Sequence, residues 1–207
     1  MIEFILTGAA LGLAAGISPG PILALVVAQT LRYGRREGII VAFTPLLSDI
    51  PIIAVSLFLL SRIQNTAPLM AAISFAGALF LCALGVESIR AKPLAAGTTT
   101  SAPRSFSKAV TLNLLNPHVY LFWSTVGAPM VLRGFATGIA APAGFLAVFY
   151  LGLVGSKIAV AAGVGQARHA LAGRGYVNTL RVLGAVMFVL AAWLIREGLH
   201  RIGLIGS

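Results

Sequence analysis

Six apolar stretches of helix length, separated by mostly short polar connections, cover most of the chain. They occupy residues 2–31, 38–60, 67–89, 108–132, 140–164 and 177–199. A helix needs roughly 20 predominantly apolar residues to cross the hydrocarbon core of a bilayer, and each stretch reaches that length. The pattern therefore predicts an all-α integral membrane protein with six transmembrane helices in a single transmembrane domain, 1–207.

One connection differs from the others in length and composition. Residues 93–106, PLAAGTTTSAPRSF, are rich in Gly, Thr, Ser and Pro, which is typical of a flexible linker. The linker separates a half-repeat over 1–92 from a second half-repeat over 107–207, each with three apolar stretches. Because an odd number of spans inverts the second half relative to the first, the sequence predicts two inverted three-helix repeats, an arrangement known in secondary transporters.

The composition agrees with a membrane protein. Of the 207 residues, 58% are hydrophobic and 10% are charged, and the mean hydropathy is +0.97, values far from those of soluble domains. The first apolar stretch lacks a basic leading segment and a small-residue cleavage site, so no removable signal peptide is expected. Cys82 is the only cysteine, which excludes an intrachain disulfide.

The positive charge of the chain, +10, indicates orientation in the membrane. The basic residues form no amphipathic or aromatic-interleaved patch, so nucleic acid is not an expected partner. Ten of the fifteen lie in or beside three alternate loops, and these are Arg32, Arg35, Arg36, Arg90, Lys92, Arg104, Lys108, Arg168, Arg174 and Arg181. The positive-inside rule then places the linker 93–106 in the cytoplasm and both termini outside it.

Strong helix breakers interrupt the first helix of each predicted half. The first helix contains SPGP at 18–21, and the fourth contains NP at 116–117. Proline has no N–H, so these prolines deprive the carbonyls of Ala15, Ile17 and Asn113 of their intrahelical donors. In hydrocarbon such a break is costly unless it is packed in protein or lines a polar cavity.

Each break also has the chemistry of a new helix start. Ser18 before Pro19 and Asn116 before Pro117 have the pattern of an N-cap followed by proline at the first helical position. With the predicted topology, both new N-termini meet near the membrane midplane, where their free N–H groups and partial positive charge favour a carboxylate. The alternative is that the prolines only kink the helices for packing. Because the breaks occupy matching positions in the two halves, we favour a substrate site.

Two ionisable residues lie deep within apolar stretches. Asp49, the only aspartate, is near the middle of the second stretch in TPLLSDIP, and Lys157 lies in the equivalent helix of the other half in YLGLVGSKIAV. A carboxylate at that depth costs roughly 2.5–3.5 kcal/mol on insertion scales, so Asp49 should face the bundle interior. Two interpretations stay open: an ion pair with Lys157 that fixes packing, or a function in coupling or substrate binding.

Further polar and aromatic residues surround the second break. Asn113 and Asn116 are suited to satisfying freed backbone groups or to binding an amino group. His118 is suited to proton relay, to substrate contact or to hydrogen bonding with freed carbonyls. Tyr120 and Trp123 fit packing as well as a pocket. In the third helix, Gly77 and Gly85 are predicted close-packing positions.

The sequence lacks the motifs of common enzyme and cofactor sites. HExxH, a Walker lysine loop and Cys or His clusters are all absent. We therefore expect no enzymatic activity, no cofactor and no metal. An intramembrane enzyme using Ser18 or Asp49 is one alternative, but it lacks a recognisable base or metal set. A purely structural membrane subunit is another, but it would not need two broken helices.

Three parts of the chain together resemble a known family. GISPGPILALVVAQTLRYGRREGIIVAF at 16–43, the mid-helix aspartate at position 49 and FSKAVTLNLLNPHVYLFW at 106–123 resemble the lysine-exporter family, which also includes homoserine and threonine exporters. Six apolar stretches, the length and the closing LRVLGAVMFVLAAWLIREGL agree with it over nearly the whole chain. The resemblance implies a multi-pass amino-acid exporter of the plasma (inner) membrane, driven by a proton or ion gradient rather than by ATP.

The chain departs from that family at several positions. Members usually carry glycines ahead of the aspartate, where this chain has Thr44, Pro45 and Ser48, and often a glycine and a lysine where it has Ala109 and His118. These changes are expected next to the pocket, so they bear on the substrate more than on the fold. Wider relatives include metal exporters and thiol-shuttling proteins, but one cysteine and no His-rich loop argue against both.

The leading hypothesis is a secondary exporter of amino acids or related small zwitterions. The half-helix N-termini would hold the carboxylate, and Asp49 would face the amino group or carry the coupling proton. The expected partners are an amino-acid substrate and the lipid bilayer, with a homodimer as one candidate assembly. The candidate substrate-binding residues are Ser18, Pro19, Gly20, Pro21, Asp49, Asn113, Asn116, Pro117 and His118, and the candidates for coupling or an ion pair are Asp49 and Lys157.

Overall fold

The computed structural model describes residues 1–62, 67–90, 104–170 and 174–204, and within these ranges it is helical without strands. The helices are α1 (Ile2–Ile17), α2 (Pro21–Tyr33), α3 (Arg35–Phe43), α4 (Pro45–Arg62), α5 (Ala67–Ile89), α6 (Ser105–Leu114), α7 (Pro117–Phe122), α8 (Ala128–Phe135), α9 (Ala140–Ala170) and α10 (Arg174–Arg201). A π-helical turn, Trp123–Gly127, joins α7 to α8.

Four helical stretches of the described residues are long and apolar enough to cross a membrane. They are Arg35–Ser56, Ala67–Ile89, Ala140–Ala167 and Val177–Arg201. The pair formed by α1 and α2, bent by 57°, makes a fifth if it counts as one span. The fourth predicted stretch, 108–132, is divided among α6, α7, the π turn and α8, so none of its pieces has that length. An all-helical fold with apolar spans, as the sequence predicts, is confirmed.

The predicted linker lies mostly outside the described residues, which resume at Arg104. Helix α6 begins at Ser105, one residue before the predicted end of the linker at 106. The Ser105 hydroxyl is buried and donates a hydrogen bond to Oε1 of Gln29 at 2.9 Å. This tertiary contact fixes the start of α6, which composition alone does not reveal.

Glycines spaced four residues apart bring α1 directly against α9. The buried face of α1 includes Gly8, Gly12 and Gly16. A Cβ at the first of these would lie 2.6 Å from the carbonyl oxygen of Phe145, and one at the last would meet Ser156. Residues four apart share a helix face, and the lack of side chains there lets the two backbones approach. The contact places Lys157 beside the end of α1.

Helices α5 and α10 form a second closely packed pair. A Cβ at Gly85 would lie 3.2 Å from the carbonyl oxygen of Gly184, and a Cβ at Gly184 would lie 2.8 Å from that of Gly85. A Cβ at Gly77 would meet the carbonyl of Leu115. The prediction that Gly77 and Gly85 are close-packing positions is therefore confirmed.

The apolar core has a large aliphatic part and a smaller aromatic part. The aliphatic part joins α2, α5, α6 and α10 through side chains such as Leu25, Leu81, Leu112, Leu180 and Leu194. The aromatic part contains Tyr120, Trp123 and Phe149. Two of these aromatic residues follow Asn116 and Pro117 within two helical turns, so this part of the core adjoins the second break.

Ion pairs connect helix ends at two places in the bundle. Glu87, near the end of α5, accepts from Arg32 at 2.8 Å and from Lys108 at 2.7 Å. Glu3, near the start of α1, and Arg133, near the end of α8, form an exposed pair at 3.7 Å. These contacts link segments that are far apart in the sequence.

Candidate functional site

The first break lies between α1 and α2. The N–H of Ser18 donates to the carbonyl of Ala14 at 2.9 Å, so Ser18 ends α1. Helix α2 has Gly20 as its N-cap and Pro21 at its first position. The prediction that Ser18 caps the second half-helix is therefore wrong by two residues. The residue before a proline is forced out of the helical region, and Ser18 has φ −53° and ψ 126°; the second proline supplies the φ at which a helix restarts.

The second break has the predicted cap. The side-chain oxygen of Asn116 accepts from the N–H of His118 at 3.2 Å, and Pro117 occupies the first position of α7. The Asn113 carbonyl, which Pro117 deprives of its usual donor, accepts from the N–H of Asn116 at 3.1 Å. The Tyr120 hydroxyl donates to the carbonyl of Leu114 at 2.9 Å. Tyr120 thus satisfies backbone freed by the break, and it does not line the cavity described below.

Asp49 is buried, with 3% of its surface exposed, and has neutral hydrogen-bond donors around it. The side-chain amide of Asn113 donates to Oδ1 at 2.7 Å. The Tyr150 hydroxyl and the Trp123 indole N–H donate to Oδ2 at 3.1 Å and 3.4 Å. The same amide nitrogen of Asn113 donates to the Ser48 hydroxyl at 2.7 Å. Asn113 therefore orients Asp49, and its two N–H groups are both in use.

Lys157 is buried as well, and its partners are backbone carbonyls. Its ammonium donates to the carbonyls of Ala15 at 3.2 Å and Gly16 at 3.4 Å, at the end of α1. The Ala15 carbonyl is one that Pro19 deprives of an intrahelical donor. A cation is favoured at a helix C-terminus because the unpaired carbonyls carry partial negative charge. The salt bridges within 4.0 Å among the described residues do not include Lys157 with Asp49.

The two breaks open onto one cavity of about 320 Å³. The predicted substrate-binding residues that line it, together with Lys157, are Ser18, Pro19, Gly20, Pro21, Asp49, Asn113, Asn116 and His118. Pro117 does not line the cavity; it is buried and sets the first turn of α7. The structure thus brings together residues from both halves of the chain around one space.

Several residues at the site have no clear signal in the sequence. Tyr150 holds Asp49 from α9, and Phe122, Phe149 and Trp193 line the cavity. The imidazole of His118 stacks on the indole of Trp193, with ring centroids 4.2 Å apart and planes 4° apart. Each of these aromatic residues lies in a long apolar run, where lipid contact and packing predict the same residue types.

Only some of the residues that differ from the family pattern lie at the cavity. Pro45 and His118 line it, and Ser48 accepts from Asn113, which holds Asp49. Ala109 is fully buried in the aliphatic core, so the expectation that it lies next to the pocket is wrong. Position 109 lies on the face of α6 that packs into this core. Among the described residues, no group of three or more His, Cys, Asp or Glu side chains is arranged to hold a metal ion.

Comparison with known proteins identifies the family. The family model described as LysE type translocator matches residues 13–198. The chain is 30% identical to the arginine exporter protein ArgO of Salmonella paratyphi B, Salmonella enteritidis PT4 and Salmonella typhi, in each case over 96% of this chain and 96% of the relative. No solved structure gives a significant match. The resemblance found in the sequence is thereby confirmed, and the chain belongs to the LysE type translocator family of amino-acid exporters.

Proposed function

We propose that this protein is a secondary transporter that exports amino acids or related small zwitterions across the inner membrane, coupled to a proton or ion gradient. The observation that carries the proposal is the convergence of both helix breaks and two buried opposite charges on one cavity. A zwitterion needs one anionic and one cationic partner. Asp49 and Lys157 line the same cavity without forming a salt bridge with each other.

The carboxylate of the substrate would lie between Lys157 and the start of α2. An ammonium has three N–H donors, and two of those on Lys157 bind α1. The first N–H groups of a helix lack intrahelical partners, and both Ile22 and Leu23 line the cavity. The second helix start contributes less directly, because the N–H of His118 already binds Asn116.

The amino group of the substrate would lie at Asp49. A carboxylate has about four acceptor positions, and three donors occupy those of Asp49, so one position is available to a further donor. The three donors orient the carboxylate without neutralising it. Asp49 would therefore bind the ammonium or carry the coupling proton, as intramembrane carboxylates do in other transporters.

The proposed architecture consists of two inverted halves, 1–92 and 107–207, that rock about the cavity, and both termini lie outside the cytoplasm. Two contacts agree with this grouping of helix ends into two sides. Arg32 and Lys108, which the positive-inside rule assigns to the cytoplasm, meet at Glu87. Glu3 and Arg133, which it assigns to the opposite side, also meet. A cysteine at Thr99 should be protected from an impermeant thiol reagent on intact cells, and its labelling would contradict the orientation.

Transport of a panel of labelled amino acids by the purified chain in proteoliposomes tests the proposal. We expect efflux of at least one amino acid above that of protein-free vesicles, and faster efflux when a pH or ion gradient is imposed. Efflux that is indifferent to every imposed gradient would contradict the coupling. No efflux of any amino acid would contradict the proposed function itself.

A further inference from the structure

The number of charged groups that line the cavity fits a substrate without a charged side chain. Among the described lining residues, Asp49 carries the only carboxylate and Lys157 the only ammonium. The proposed function assigns one to each end of a zwitterion, which leaves no group to pair with a third charge. A charge taken out of water without a partner is strongly disfavoured, and this holds for a guanidinium or a second ammonium.

A carboxylate elsewhere does not supply the missing partner. Glu197 lies one turn after Trp193 on α10, but it does not line the cavity. Its carboxylate already binds the guanidinium of Arg201 at 2.5 Å. The charge of Glu197 is therefore already balanced by Arg201, so it does not act as an unpaired carboxylate for a substrate in the cavity.

Stacking between rings covers part of the aromatic surface that a cation could use. Cation–π binding requires a free ring face. The face of Trp193 that meets His118 is covered by the imidazole at 4.2 Å, and Phe122 stacks on Phe149 at 5.2 Å. The ring surface that is left favours an apolar side chain, which needs contact area and no fixed direction.

His118 is one of the lining residues that a substrate side chain could contact. It lines the cavity, and among the described residues its Nε2 is one of two buried side-chain nitrogen or oxygen atoms without a hydrogen-bond partner. It carries no permanent negative charge, so it cannot neutralise a cationic side chain. A carboxylate at this position would supply the partner that the cavity lacks.

We propose that the exported amino acids have uncharged, apolar side chains, that the side chain lies against His118 and Trp193, and that the cavity excludes cationic side chains because it holds no partner for them. This inference rests on the proposed function and names the substrate class of the same site. The inferred substrate class differs from that of the arginine exporters to which this chain is similar.

The test compares leucine, phenylalanine, arginine and lysine at equal concentrations with the full chain in proteoliposomes. We expect leucine and phenylalanine to be transported at least about tenfold faster than arginine and lysine, because one unpaired charge costs more than the equivalent of a factor of ten. Transport of arginine or lysine as fast as leucine would overturn the inference and leave the proposed function standing. Transport of none of the four would count against both.

A matched pair of variants tests His118 itself. His118→Glu should lower the ratio of leucine to arginine transport by about tenfold or more, because the new carboxylate pairs with the guanidinium. His118→Gln changes the same side chain without adding charge and should keep the preference for leucine, whatever its overall rate. An unchanged ratio in a folded His118→Glu protein, or an equal shift in both variants, would contradict the role of His118. Thermal unfolding in detergent establishes that each variant is folded.

Discussion

Two carboxylates lie between helices of this protein, and they are held in different ways. Glu87 is near the end of α5 and has a third of its side chain exposed. It binds two cations directly, since Arg32 Nη1 lies 2.8 Å and Lys108 Nζ 2.7 Å from Oε1. Its negative charge is therefore neutralised by partners from α2 and α6, and the contact ties three helices together.

Asp49 lacks such cationic partners, although it is far more buried. Its three donors, Asn113, Trp123 and Tyr150, are neutral. The dipoles of these groups stabilise a negative charge and fix its direction, but they leave the net charge in place. A cation or a proton that reaches Asp49 would still stabilise its negative charge. A further cation would stabilise Glu87 little, because two cations already neutralise it.

The difference indicates separate roles for the two acids, one in joining helices and one in the transport cycle. The change with the largest expected effect is Asp49→Asn, which keeps the shape of the side chain but cannot ionise. We expect export to fall by at least about a hundredfold, because the ammonium of the bound substrate would lose its carboxylate partner, and removing one member of a buried charge pair costs about 3–5 kcal/mol. Gradient-driven efflux measures this, and a folded Asp49→Asn protein with normal export would refute the role of Asp49.

The next largest effect is expected from Lys157→Met, which removes the donor to two backbone carbonyls of α1. We expect the free energy of unfolding to fall by about 1–3 kcal/mol, as measured by thermal or denaturant unfolding in detergent. Since Lys157 and Asp49 form no direct ion pair, the decreases in the free energy of unfolding caused by Asp49→Asn and Lys157→Met should add in the double variant. Recovery of wild-type stability in the double variant would instead show that the two charges depend on each other.

A smaller effect is expected from Tyr150→Phe, which removes one of the three hydrogen bonds to Asp49. A hydrogen bond contributes about 0.5–1.5 kcal/mol, so export should slow by up to about tenfold. Tyr120→Phe is the matched control, since it removes a hydroxyl that binds the Leu114 carbonyl and not Asp49. If the control slows export as much as Tyr150→Phe, the hydrogen bond to Asp49 has no special importance.

Glu87→Gln should have the smallest effect. Partly exposed ion pairs contribute about 0–1 kcal/mol each, so we expect a slightly lower unfolding temperature and export close to that of the wild type. Raising the salt concentration should narrow the difference in unfolding temperature, because salt screens such pairs. A loss of export as large as that of Asp49→Asn would remove the distinction between the two acids.

The sequence was sufficient for the features that depend on local chemistry. Apolar length predicts four long apolar helices and the bent α1–α2 pair, though not the division of 108–132 into shorter helices. The prolines at 19, 21 and 117 predict the breaks, since a missing N–H disrupts a helix wherever it lies. The cost of a buried carboxylate predicts that Asp49 faces the interior with partners. These inferences need only the residues of one apolar stretch.

The features that depend on tertiary geometry were not accessible in this way. Nothing in the sequence distinguishes Tyr150 or Trp193 from other aromatic residues in apolar runs, because their roles depend on which helix lies opposite. The helix restart at Pro21 rather than Pro19 depends on competition between two nearby prolines. The interaction of Lys157 with α1 depends on the glycine contact between α1 and α9, which moves that ammonium towards backbone carbonyls.

The glycine contact also determines where this protein can tolerate mutation. Gly8, Gly12 and Gly16 on α1 and Gly152 on α9 have no room for a methyl group; at Gly152, for example, a Cβ would lie 2.9 Å from the backbone nitrogen of Leu13. Gly155 and Gly163 on the same α9 helix would place a Cβ with nothing within 4 Å. In a library of glycine-to-alanine substitutions, the first group should be depleted by selection for function and the second retained. Glycines of the same two helices would therefore differ sharply in the substitutions that they tolerate.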